Sequence, residues 1–171
     1  VDTHGNINST CLGAYPDAGR RFGGPGGADS IAAMAWRTIL MTDQQRRKFV
    51  NRVDFISSPG FLDGTEGARE RAGLPAGTGP WRVVTPWAMY DYTEDRRLRL
   101  IAVYAWTTVE EVLKECEHRP EIADNIEVLD PPTDEELNIY RTELDVRGQT
   151  SDGGKWVTFD GEKYQQMEDG A

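Results

Sequence analysis

The chain has 171 residues, of which 38% are hydrophobic and 28% charged, with a formal net charge of −10 and a pI of about 4.7. That length fits one domain able to bury on the order of 70% of its unfolded surface, and the composition is globular rather than disordered. The acidity excludes a general nucleic-acid binder, because phosphates would be repelled, and no apolar run approaches the ~20 residues of a bilayer span.

No basic segment followed by an apolar core marks a signal peptide. Since no Met begins the chain, Val1 reads as a processed, trimmed or split-gene end. The stretch "INSTCLG" is β-like and runs into the turn-rich "AYPDAGRRFGGPGG". "ADSIAAMAWR" is predicted as a short helix and Thr38–Thr42 as a buried strand. "FVNRVDFISS" alternates with a β period carried by Phe49, Val53 and Phe55, before the loop "PGFLDGTEG". Residues 67–73 fit a single helical turn and 81–85 another strand. "AMYDY" and "LRLIAVYA" flank "TEDRR" as a hairpin with a longer loop.

Thr107 and Glu110 have the spacing of a capping box, with Val109, Val112, Leu113 and Cys116 following at helical intervals. Thr133 and Glu136 repeat the box ahead of Leu137, Tyr140 and Leu144. These two helices are expected to close a domain of residues 1–148, with 149–171 a polar, Gly-rich tail. Strands alternating with helices predict a layered α/β fold.

Few side chains advertise chemistry. Cys11 and Cys116 sit in apolar surroundings without a CxxC, which suits a reduced, cytoplasmic protein. His4 and His118 are isolated and read as surface residues, and nothing has the spacing of metal ligands. The Arg pairs at 20–21, 46–47 and 96–97 read as solvated faces.

The exception is "GGPGGADS", residues 23–30, four glycines around one proline just ahead of a helix. Each ordered glycine costs roughly 0.5–1 kcal/mol relative to Ala. Such a run can aim several backbone N–H groups at one point, where the helix dipole adds partial positive charge. A phosphate, a carboxylate or an oxyanion developing on a carbonyl would suit it. It is neither a Rossmann GxGxxG nor a P-loop, and a mobile surface turn is the plain alternative.

Five blocks occur in one order: "VDTHGNINST", "GGPGGADSIA", "RRKFVNRVDFISSPGFLDG", "WRVVTPWAMYDY" and "TTVEEVLKEC". Together they resemble the second half of the β subunit of class I coenzyme A transferases, the group containing glutaconate CoA-transferase. The closing "PPTDEELNIYRTELDVRG" is similar to the end of those subunits. The resemblance implies an open, largely parallel sheet with flanking helices, half of a transferase domain. It also implies that the opening strand lacks neighbours in its own chain and pairs with another polypeptide.

In that family a GxGGA motif helps form the oxyanion hole beside the reacting thioester. Here it falls on Gly24, Gly26, Gly27 and Ala28. The family often carries an Asp two residues after that Ala, where this chain has Ser30, with Asp29 before it. Its nucleophile is a glutamate in a Ser-Glu-Asn-Gly type motif that this sequence lacks, while Glu66 and Glu70 match nothing catalytic. The resemblance therefore implies a nucleophile outside this chain, in a companion subunit or a missing first half. Three functions stay open: a CoA-transferase subunit, a subunit of the related hydrolases that open steroid-ring CoA thioesters, and a non-catalytic scaffold. A coenzyme A thioester is the implied substrate, with no permanently bound cofactor and a hetero-oligomer as the assembly.

Asp2, Asn6 and Asn8 around Gly5 have the residues of a tight turn, which would support the active-site strand or, through Asn8, touch substrate. Phe61 and Leu62 are the candidates to line the acyl pocket, with Trp87 and Tyr90 behind them, core packing being the alternative.

Overall fold

A computed structural model describes residues 1–145 and, as backbone, strand residues 157–159 and 164–166. The chain forms two compact units, Val1–Leu129 and Asp130–Ala171. In the first, a turn over residues 1–6 leads into the two-residue strands β1 (Cys11–Leu12) and β2 (Arg20–Arg21), which pair antiparallel. Helix α1 (Ala28–Met34), strand β3 (Arg37–Met41) and the single turn of α2 (Ala68–Arg71) follow. Strands β4 (Gly79–Val84), β5 (Ala88–Tyr92) and β6 (Leu98–Tyr104), helix α3 (Val109–Lys114) and strand β7 (Glu121–Leu129) complete the unit.

Five strands make one sheet in the order β3-β4-β5-β6-β7. β3 runs parallel to β4 and β6 to β7, and β5 opposes both its neighbours. Four strands thus point one way, giving the open, largely parallel sheet with flanking helices that the resemblance implies. Alternation explains the core: Val83, Ala88, Tyr90, Leu98 and Leu100 are buried and pack with Phe49, Val112 and Cys116. On the pleats between them Arg99 and Asp91, directly opposite in register, form a two-pronged ion pair at 2.8 and 2.7 Å. At the β4–β5 turn the Thr85 hydroxyl accepts from the Trp87 and Ala88 amides at 3.2 and 2.9 Å. The β5–β6 hairpin with its longer loop is as the sequence predicts.

Several local expectations are corrected. "FVNRVDFISS" forms no strand. Phe49 and Val53 are buried, but the backbone here bonds to the opening segment, Val50 N–H to the Val1 carbonyl and Ser57 N–H to that of Ile7. The opening segment is likewise no sheet strand, apart from β1 and one bridge between Ile7 and Ser58. β3 is not a buried strand but a sheet edge, paired only with β4. The capping box of α3 lies one residue later, at Thr108 and Glu111, because Thr108 has the extended backbone of an N-cap. β7 went unpredicted, because its acidic, exposed edge breaks the alternation.

The second unit opens with α4 (Asp134–Ile139), where Thr133 and Glu136 form the predicted box. A wider π-type turn, Tyr140–Leu144, continues it. β8 (Val157–Phe159) and β9 (Tyr164–Gln166) pair antiparallel. The rest of the expected polar tail lies outside the described residues.

His118 is not a surface residue: it is only 5% exposed. Burial pushes its imidazole below the ordinary range, with the Phe49 carbonyl and Asp2 pulling back. The unfolded chain takes up this proton near pH ~6.5, and the folded chain only at lower pH. Stability therefore falls as pH drops below the unfolded value. The urea midpoint should decrease between neutral pH and pH ~5.5, and His118→Gln should flatten that decrease. An equal pH slope in the variant would contradict the assignment.

Candidate active site

The glycine loop is held from both sides. At its entry, Phe22 N–H donates to the Thr10 carbonyl at 2.8 Å and Gly24 N–H to that of Ser9 at 2.9 Å. Ser9 N–H in turn donates to the Ser57 hydroxyl at 2.8 Å, which also shares a hydrogen bond with the Thr10 hydroxyl at 2.7 Å. At the far end of α1, the Arg69 guanidinium donates to the Ala32 and Ala33 carbonyls, both at 3.1 Å.

Arg69 also binds the loop that opens "PGFLDG". It donates to the Pro59 carbonyl at 3.2 Å, the Gly60 carbonyl at 2.7 Å and the Thr78 hydroxyl at 3.0 Å. The residue is only 4% exposed, and burial pulls its pKa below the usual arginine value. No carboxylate lies within ion-pair distance among the described residues. The charge is dissipated over carbonyl dipoles, two of them at a helix C-terminus where a cation is favoured.

From the other side, Asn6 grips the same loop. Its Oδ1 accepts from the Gly60 and Leu62 amides at 2.9 and 3.1 Å, and its Nδ2 donates to the Leu62 carbonyl at 2.7 Å. Buried Asp2 accepts from the Asn6 amide and from Asn6 Nδ2, both at 3.0 Å, orienting that side chain. The grip holds Leu62 at φ 59°, a left-handed conformation that costs a branched residue on the order of 1–3 kcal/mol. It also brings Gly60 so close to the opening turn that an added Cβ would lie 2.2 Å from the Gly5 carbonyl carbon. The tight turn expected at Asp2 and Asn6 is therefore the support on which the loop rests.

In the glycine loop, Gly24 and Gly26 have φ 87° and 57°, which only glycine adopts freely. Gly27, at φ −89°, begins α1, and an added Cβ there would meet nothing within 4 Å. Neither backbone conformation nor packing in this chain asks for glycine at 27. Among the described residues the Gly26 and Gly27 amides donate to no group of the chain, and both residues are exposed beside Ala28. They are free for an external acceptor.

The other predicted site residues are not brought together. Phe61 packs edge-on against Tyr92 at 5.2 Å, on a cavity of about 490 Å³. Leu62 lines a second cavity and Asn8 a third. Asn8 works as a turn residue, its Oδ1 accepting from Thr10 and Cys11 amides at 3.0 and 3.2 Å and its Nδ2 donating to the Cys11 carbonyl at 2.6 Å. Tyr90 is fully buried in the core, its hydroxyl donating to Gln44 Oε1 at 3.0 Å, and Trp87 packs against that core. Cys11 and Cys116 are both buried free thiols, and burial raises the pKa of the latter. Glu66 and Glu70 are exposed. Sequence reasoning missed Arg69, because an Arg in a short polar helix that also carries Arg71 gives no sign of burial.

The fold thus leaves two open amides, those of Gly26 and Gly27, at the start of α1. Comparison with known proteins supplies the family. No family model matches the chain. It is 37% identical over 146 residues to the β subunit of glutaconate CoA-transferase from Acidaminococcus fermentans, covering 85% of this chain and 54% of that protein. It is 30% identical over 154 residues to the β subunit of 3-oxoadipate CoA-transferase from Pseudomonas knackmussii, covering 90% and 58%. The crystal structure of glutaconate coenzyme A-transferase from Acidaminococcus fermentans superposes with a TM-score of 0.79 at 36% identity, covering 88% of this chain and 56% of that one. Rhodococcus jostii IpdAB gives 0.70 at 26% identity, covering 86% and 58%. The chain belongs to the coenzyme A transferase family and spans just over half the length of the relatives it matches.

Replacing Arg69 by Met strands several buried carbonyls and should cost about 2 kcal/mol or more, lowering Tm by roughly 4 °C or more. Hydrogen exchange at the Ile31 and Ala35 amides should quicken. An unchanged Tm would show that the guanidinium does not hold α1 in place.

Proposed function

We propose that this chain supplies the oxyanion hole of an enzyme that moves coenzyme A between carboxylic acids. One observation carries the reading: Gly26 and Gly27 present unused amides, and Gly27 lacks a side chain that nothing within the chain forbids. The open space at Gly27, next to those amides, leaves room for the close approach of a thioester carbonyl. Gly24 and Ala28 frame those amides.

The chemistry follows from where charge develops. A carboxylate nucleophile attacks the acyl-CoA carbonyl, and the tetrahedral oxyanion takes hydrogen bonds from the Gly26 and Gly27 amides. Collapse expels CoA thiolate and leaves a mixed anhydride. The thiolate then attacks the enzyme's own acyl carbon, releasing the first acid and leaving CoA as an enzyme thioester. A second carboxylic acid reverses these steps. With Glu66 and Glu70 exposed and unmatched, the glutamyl nucleophile comes from outside these 171 residues, in a companion subunit or a missing first half. Glutaconate and 3-oxoadipate, named for the relatives, are both dicarboxylates, and an acid of that class is the proposed acyl group.

The same reading calls for a companion polypeptide. β3 has a free edge, and Met41 (79% exposed), Trp36 (72%), Met34 (65%) and Ile31 (62%) leave α1 and β3 with an uncovered apolar surface. Exposed apolar edges of this kind are normally covered. A CoA-transferase companion covering it makes the assembly a hetero-oligomer. Two buried thiols suit a cytoplasmic setting. Among the described residues no helix is long and apolar enough to cross a membrane.

Gly27→Val should lower turnover of the assembled enzyme by about 10²–10³ with the assembly intact, since a Cβ there meets no described atom within 4 Å. Near-normal activity would remove Gly27 from the oxyanion hole. Met41→Asp should abolish co-purification with the companion, and intact assembly would place the interface elsewhere.

A further inference from the structure

A third cavity, of about 630 Å³, lies beside the segment that feeds the glycine loop. Asn8, Leu12, Phe22, Leu40 and Val50 are among the residues that line it. Phe22 stands two residues before Gly24, on the backbone that the Ser9 and Thr10 carbonyls fix. Leu12 and Phe22 are exposed to the cavity rather than packed away. Four cations line the same space: Arg20, Arg47, Lys48 and Arg52.

Their pairing is uneven. Lys48 is ion-paired to Asp43. Arg20 stacks over the Phe22 ring with its guanidinium 5.4 Å from the centroid, and Arg47 Nε donates to Gln45 Oε1 at 3.0 Å. Among the described residues none of Arg20, Arg47 and Arg52 has a carboxylate within ion-pair distance. This holds in a chain with 29 acidic and 19 basic residues, where a chance neighbour would more often be acidic. Two carboxylates share the lining, Asp54, which accepts the Gly13 amide at 2.8 Å, and Glu117, so the three guanidinium groups and Lys48 still outnumber them. Arg20 and Arg47, whose Arg pairs read as solvated faces in the sequence, thus line one partly apolar cavity together with Arg52.

We propose that this cavity anchors an anionic group of the substrate remote from its thioester, on Arg20, Arg47 and Arg52; the inference rests on the acyl-CoA reading of the glycine loop. The group is an oxyanion of carboxylate or phosphate type, either the free carboxylate of a dicarboxylic acyl chain or a phosphate of coenzyme A. Guanidinium forks match both. The apolar wall of Leu12, Phe22 and Leu40 takes the methylene chain that joins such a group to the thioester. Anchoring the far end fixes the carbonyl at the Gly26 and Gly27 amides, so the arginines are binding and positioning residues.

The test uses the assembled enzyme in isothermal titration with coenzyme A, dephospho-coenzyme A, glutarate and butyrate. The wild type should bind coenzyme A or glutarate. Arg52→Gln and Arg47→Gln should weaken that ligand about ten- to a hundredfold, and Arg52→Lys should restore part of the loss. If a phosphate is the anchor, the loss appears with coenzyme A; it disappears with dephospho-coenzyme A when the 3′-phosphate is held and persists there when the 5′-diphosphate is. If the carboxylate is, it appears with glutarate and not with butyrate. Gly27→Val should bind the anchored ligand normally while failing to turn over. Unchanged affinity of both arginine variants for both anions overturns the anchor and leaves the acyl-CoA reading standing. A wild-type enzyme that binds neither coenzyme A nor glutarate overturns both.

Discussion

Arg69 is a buried cation without a carboxylate, and the parts of this molecule that face chemistry depend on where its guanidinium points. Its bonds to Ala32 and Ala33 fix the end of α1, and those to Pro59, Gly60 and Thr78 tie that helix to a loop and to the start of β4. The charge remains in a site only 4% exposed because each of these bonds ends on an oxygen dipole. Asn6 grips the same loop from the opening turn. Two unrelated side chains thus over-determine Pro59–Leu62, which is why Leu62 can persist in a left-handed conformation.

That rigidity gives the glycine loop its meaning. A run of glycines is flexible in isolation, and amides on a flexible loop make a poor oxyanion hole because ordering them would be charged to every turnover. Here the loop enters on fixed carbonyls and leaves into a helix whose far end Arg69 restrains. The glycines then do two separate things: Gly24 and Gly26 supply positive φ, and Gly27 supplies empty space.

The sequence showed the glycine motif, the second capping box and the β5–β6 hairpin, because each is written in neighbouring residues. It also carried the family, through blocks in one order. What it hid depends on residues distant in the chain. "FVNRVDFISS" has a strand's alternation, yet its backbone partners are the opening turn, and periodicity reports burial without reporting pairing. β3 reads as buried because Ile39, Leu40 and Met41 are apolar, whereas it is a sheet edge awaiting a neighbour. Arg69 and the cluster of Arg20, Arg47 and Arg52 become visible only when the fold brings their surroundings together. Asn8, read as a substrate contact, has its side chain engaged with the Thr10 and Cys11 backbone.

The central claim is a division of labour, with the oxyanion donors in this chain and the attacking carboxylate outside it. It is tested most directly by trapping the covalent intermediate. The assembled enzyme is incubated with an acyl-CoA substrate, treated with borohydride to reduce any glutamyl thioester to the alcohol, and digested for peptide mass analysis. The account predicts one modified glutamate, formed only in the presence of substrate, outside residues 1–171. Modification of Glu66 or Glu70 would contradict it, and so would steady turnover with no trapped residue in any chain.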